Sequence, residues 1–137
     1  METHDFQLTN DPACIPTLQG RLQAILQASE IRPRFISALN LAVGEWLENI
    51  LQHAYDDQAS HPILVQCQIL PDGVAVQVTD DGRRFNPCSV PEMDASQAAT
   101  TPGAGGRGIH LIRNLVDAVE YQWLNQRNVV RLVKHLN

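Results

Sequence analysis

The sequence is poor in the residues that would mark several common kinds of site. Its cysteines, Cys14, Cys67 and Cys88, are odd in number and lack metal-ligand spacing, which argues against a disulfide framework and predicts reduced thiols. The five histidines are equally dispersed, without an H-E-x-x-H pair, so no zinc centre is expected. Positive charge is never concentrated: the ten Lys and Arg are scattered and net charge is −5, which removes the electrostatic footprint that nucleic acid or an anionic membrane would need. No apolar run reaches membrane-spanning length, and METHDFQLTN has neither the charged nor the apolar region of a secretory leader. A cytoplasmic protein is the expectation.

What is present suits one α+β domain over residues 1–137, long enough to bury a core, with 44% hydrophobic residues and no repeats. A short strand is predicted at His4–Leu8. A helix follows over Ile15–Ser29, with Leu18, Leu22, Ile25 and Leu26 at helical spacing. Pro33 suits the first turn of a second helix running to Tyr55, with Phe35, Leu39, Val43, Trp46 and Ile50 in one apolar arc. ILVQCQIL and VAVQVTD read as strands joined by a turn at Pro71-Asp72-Gly73. Periodicity is then lost until a helix near Gly108, which turns Ile109, Ile112, Leu115, Val116 and Val119 inward. Closing strands are predicted at Ala118–Leu124 and Asn128–His135.

Three polar features stand out against this frame. Glu45 and Asn49 lie one helical turn apart opposite the apolar arc, with Gln52 beside them and His53 at the border. A solvated face would account for them, and so would a site. Asp80 falls on the same strand face as Val74, Val76 and Val78, where a carboxylate is costly without donors. It either caps the turn at Asp81-Gly82 or accepts a hydrogen bond from a ligand amino group such as adenine N6, with Gly82 allowing close approach of the base. Finally, GAGGRG at Gly103–Gly108 precedes a helix, where free backbone N–H groups and the helix dipole favour an anion, although any flexible turn can look similar.

The combination E-x-x-x-N-x-x-x-H-A-Y from Glu45, D-x-G-x-x-F from Asp80 and G-x-G-I from Gly106 resembles the N, G1 and G2 boxes of the GHKL ATPase/kinase superfamily. Within it, the chain is most similar to the bacterial anti-sigma-factor serine/threonine kinases. The resemblance spans nearly the whole chain. It implies a two-layer sandwich in which a mixed, mainly antiparallel sheet carries helices on one face, the histidine-kinase-like ATP-binding fold.

The resemblance also implies a set of site residues. Glu45 would be the general base towards a substrate hydroxyl. Asn49 would bind Mg²⁺ bridging the phosphates of ATP or ADP, an ion content with few protein ligands. His53 would border the phosphates, or else pack against the sheet as a helix-end histidine. Asp80 and Gly82 would hold adenine, with Phe85 closing that box. Gly106, Arg107, Gly108 and Ile109 would line the phosphate cradle, and Thr101 (or Thr100) in a lid over residues 86–105 would add a hydroxyl. Arg84 stands where the wider superfamily has a second G1 glycine, which suits the anti-sigma branch and not a sensor histidine kinase. Arg131 occupies the last strand, so no second adenine contact is expected there. The implied activity is phosphorylation of a small STAS-like antagonist protein that controls a sigma factor or another target, by a homodimer. The alternatives are a nucleotide-dependent sequestering module without phosphotransfer and a detached histidine-kinase ATP-binding domain.

Overall fold

The computed structural model describes residues 2–89 and 107–136, without the side chain of Arg107. Five strands, β1 (Glu2–Thr9), β2 (Pro62–Leu70), β3 (Gly73–Asp80), β4 (Ala118–Leu124) and β5 (Arg127–His135), form one sheet in the order β1-β2-β3-β5-β4. Three α-helices among the described residues, α1 (Cys14–Ala28), α2 (Pro33–His53) and α3 (Arg107–Leu115), cover one of its faces, giving the expected α+β sandwich. Every strand pairing is antiparallel, so the mixed, mainly antiparallel sheet that was expected is here antiparallel throughout. The reason is topological. The β3–α3–β4 crossover leaves β3 and β4 running the same way, but β5 folds back as a hairpin and inserts between them.

The apolar arc of α2 is buried as its spacing predicts, with Leu39 and Val43 essentially inaccessible and Trp46 and Ile50 scarcely less so. These side chains meet Ile63, Val65 and Cys67 of β2 and Val74, Val76 and Val78 of β3 in one core. Gly44 leaves room for the Gln19 side chain between α1 and α2: a Cβ there would come 2.6 Å from Gln19 Nε2, which would have to shift. Gln19 and Asn40 lock that contact by each donating its side-chain amide to the other's backbone carbonyl, at 3.1 and 3.2 Å. Helix α2 ends at His53, short of the predicted Tyr55. Tyr55 leaves the helix to stack on His61, ring centroids 3.9 Å apart, and to donate its hydroxyl to Asp81 Oδ1 at 2.9 Å.

Two turns set the ends of the sheet. Pro71 and Asp72 join Leu70 to Gly73 as predicted. Asn125 and Gln126 join β4 to β5 with positive φ at both positions, 53° and 61°, the backbone of a tight hairpin turn whose twist matches the strands. Among the described residues no helix is long and apolar enough to cross a membrane.

Candidate functional site

A cavity of about 250 Å³ opens between the last turns of α2 and the ends of β3 and β5. Trp46, Asn49, Ile50, His53 and Ala54 line it from α2 and its end, Asp80 from β3, Arg83, Arg84 and Phe85 from the following loop, and Asn128 from β5. Its volume lies below the 300–1,000 Å³ typical of whole drug-sized ligands, so it has room for only part of such a ligand.

Asp80 sits at the floor, 3% exposed, on the inward face shared with Val74, Val76 and Val78. Its Oδ1 accepts the Gly82 N–H at 2.9 Å and the Asn128 amide at 3.0 Å. Oδ2 has no hydrogen-bond partner among the described residues. The capping of the turn is thus made by one oxygen alone, and the other is left over. Burial pushes the carboxyl above the usual carboxylate range, Asp81 adds to the rise, and the bonds from Asn128 and Gly82 oppose it.

Gly82 has a packing role in addition to the ligand approach expected of it. A Cβ there would lie 2.6 Å from Ala54 Cβ and 2.7 Å from the Ala54 carbonyl oxygen, so the glycine lets this turn close on the end of α2. The Arg83 N–H donates to that same carbonyl at 2.8 Å, and Arg83 pairs with Asp56 at 2.6 Å. Phe85 is 38% exposed and stacks on Trp46 with centroids 6.2 Å apart, leaving an aromatic wall beside Asp80. The Arg84 guanidinium lies over the Trp123 ring at 5.4 Å, at the rim.

On α2, Asn49 and His53 face the cavity, while Gln52 is exposed and donates to Glu48, the solvated arrangement that Glu45 and Asn49 escape. Glu45 is half-buried one turn back, outside the cavity and against the start of α3: its Oε2 lies 3.2 Å from where a Cβ would stand on Gly108. The Ile109 side chain is only 3% exposed and belongs to the core, so it offers a ligand its backbone N–H alone. Thr100, Thr101, Gly106, the Arg107 side chain and most of the expected lid lie outside the described residues. The first lid residues are tied down: Pro87–Ser89 form a short 3₁₀ turn, Arg113 donates to the Pro87 carbonyl at 2.8 Å, and the Cys88 thiol donates to the Val119 carbonyl at 3.2 Å.

Sequence reasoning overlooked Asn128. Arg131, the position weighed in its place, points to the opposite face of the sheet and pairs with Glu120 at 2.9 Å. The signal was available: Val130 and Leu132 alternate into the core, which puts Asn128 on the same face, and its register partner is Asp80. Among the described residues no group of three or more His, Cys, Asp or Glu could hold a metal unaided. A cation here would rest on the single amide oxygen of Asn49 and on oxygens brought by a ligand, a donor set that suits Mg²⁺.

Residues 8–134 match the family model of the histidine kinase-like ATPase domain. The chain is 30% identical over 112 residues to the serine-protein kinase RsbW of Bacillus velezensis, an alignment covering 74% of this chain and 66% of that protein. It is 27% identical over 136 residues to RsbW of Listeria monocytogenes, covering 96% and 86%. In fold it is similar to a crystal structure of the RsbU and RsbW domains of a Mycobacterium tuberculosis protein, with TM-score 0.72 and 17% identity over 99% of this chain and 33% of that one.

Proposed function

The chain belongs to the histidine kinase-like ATPase domain family, and from that premise we propose that it is an ATP-dependent serine/threonine protein kinase of the anti-sigma type. The observation that carries this reading is the placing of Glu45 against the first turn of α3, one turn along α2 from an Asn49 that faces the cavity. Glu45 thus stands beside the start of α3, and Asn49, one turn on, lines the cavity together with Asp80.

In this reading the adenine ring enters between Phe85 and Ile50, and Asp80 accepts from its exocyclic amino group. ATP, once bound, would supply the phosphoryl group, and Mg²⁺ would supply neutralisation of the phosphate charge. The Asn49 side-chain oxygen would hold the metal, and His53 would border the phosphates. Backbone N–H groups at Gly106, Gly108 and Ile109, with Arg107 and Thr101, hold the phosphate oxygens. Glu45 accepts the proton of the attacking hydroxyl. Phosphoryl transfer needs positioning and charge neutralisation more than covalent chemistry, and α2 fixes both groups on one rigid element.

The partners follow from the same reading. A small STAS-type antagonist protein carries the accepting serine or threonine, a sigma factor or another regulated target is released or held in consequence, and a second copy of this chain completes a homodimer in the cytoplasm. The test is incubation with labelled ATP, Mg²⁺ and candidate antagonists encoded beside the gene, followed by identification of phosphoserine or phosphothreonine. Capture of an antagonist without label transfer would replace the kinase with a nucleotide-dependent sequestering module. No nucleotide binding by the folded protein would remove both.

A further inference from the structure

Asn128 lines the cavity, yet it has nothing left to offer a ligand. Its Nδ2 donates to Asp80 Oδ1 at 3.0 Å and to the Arg83 carbonyl at 2.9 Å, with the Gly82 carbonyl at 3.5 Å. Its Oδ1 accepts the Phe85 N–H at 3.0 Å and the Tyr121 hydroxyl at 2.8 Å. An asparagine amide has two N–H donors and an oxygen with two lone pairs, so every valence is spent. The residue is 2% exposed.

The surroundings also fix which way the amide points. The Phe85 N–H can only donate and therefore requires the oxygen, while the Arg83 and Gly82 carbonyls can only accept and require the NH₂. The side of Asn128 turned to Asp80 is thus always a donor. With the Gly82 N–H, it fills Asp80 Oδ1 with two donors and leaves Oδ2 as the one oxygen for a ligand. The same amide also ties the loop bearing Arg83 and Phe85 to the start of β5, so the aromatic wall and the carboxylate are held by one side chain.

We infer that Asn128 is a positioning residue that makes the floor of the cavity an acceptor-only point, and so selects a purine with an exocyclic 6-amino group over a 6-oxo purine. The inference rests on the adenine reading of Asp80. A 6-oxo purine would set its carbonyl oxygen against an oxygen that has no proton to give, and a site built to accept a hydrogen bond rejects an analogue lacking the donor.

The experiment is calorimetric titration of ATP and inosine triphosphate into the wild-type chain, Asn128→Asp and Tyr121→Phe, each checked for folding by circular dichroism. Wild type should prefer ATP by at least about tenfold. Asn128→Asp sets two carboxylates side by side, a pair that retains a proton and can present it to the ligand, so the ATP preference should fall about tenfold or more. Tyr121→Phe removes one anchor of the amide, keeps the ring, and should lower the preference about two- to fivefold. A folded Asn128→Asp with the wild-type preference overturns the inference while leaving the adenine reading intact, and an unchanged preference in Tyr121→Phe does so if the first variant does not fold. Equal binding of the two nucleotides by wild type overturns the adenine reading itself.

Discussion

Oε2 of Glu45 lies 3.2 Å from the point where a Cβ would stand on Gly108, so the carboxylate on α2 sits tightly against the first turn of α3. Gly108→Ala should push that carboxylate aside by a few tenths of an ångström without harming the core, since Gly108 is half-buried at a helix start. Transfer to the antagonist is expected to drop about 10-fold or more, because small misplacements of a reacting group are costly, while the melting temperature stays nearly unchanged. Single-turnover rates beside a thermal melt check this; an unchanged rate would separate Gly108 from the chemistry.

Asp80→Asn should separate binding from stability in opposite directions. Asn can keep the bonds from Gly82 and Asn128 on its oxygen but turns an N–H₂ towards the ligand amino group, so adenine nucleotide affinity should fall sharply. The Asp80 carboxyl is held above the usual range by burial, against its two hydrogen bonds. A raised folded-state value means that protonation favours the folded state: the group's contribution is most favourable at low pH and is lost as pH rises through the raised value. Without nucleotide, Asp80→Asn should therefore melt higher than wild type at neutral pH, and the difference should shrink as pH falls through the range just above ordinary carboxylates. Melts followed from the ordinary carboxylate range up to neutral pH would read it.

Gly82→Ala brings a Cβ to 2.6 Å from Ala54 Cβ and 2.7 Å from the Ala54 carbonyl oxygen, both fixed by the end of α2. The cost should be about 1–3 kcal/mol of stability, the range for forced overpacking, together with weaker nucleotide binding because the turn that presents Asp80 must move. Pairing it with Ala54→Gly removes only the methyl contact, so denaturant titration of the double variant should show partial and not complete recovery.

The features that were legible before the structure are those set by periodicity. The α2 arc, the alternation that turns Asp80 inward and the Pro71-Asp72 hairpin each follow from a repeat of 3.6 or 2 and local turn chemistry. What was not legible depends on contacts distant in sequence. Asn128 gains its importance only when β5 inserts beside β3 and sets it opposite Asp80, 48 positions earlier. The packing role of Gly82 was hidden because Ala54, the neighbour that a Cβ would strike, lies at the end of another element. The early end of α2 has the same origin, since Tyr55 is drawn away by His61 and Asp81.

Gln126→Gly should stabilise the protein with no effect on nucleotide. Gln126 holds φ at 61° in the β4–β5 turn, a conformation that costs a side chain and that glycine adopts freely. A gain of about 0.5–1 kcal/mol is expected, measurable by chemical denaturation; a loss would mean that the exposed Gln126 side chain has a role in the hairpin.

The central claim is that Glu45 takes the proton of the accepting hydroxyl, and one comparison tests it most directly: nucleotide affinity and single-turnover phosphate transfer, measured together for wild type and Glu45→Ala. A general base touches the incoming hydroxyl and not the nucleotide, and Glu45 lies outside the cavity that Asp80 and Asn49 line. Affinity for ATP and capture of the antagonist should survive, while transfer should fall about 10²–10⁴-fold, the contribution of a positioned base. Transfer by Glu45→Ala at the wild-type rate would contradict the account and return Glu45 to the role of a helix-face carboxylate beside α3.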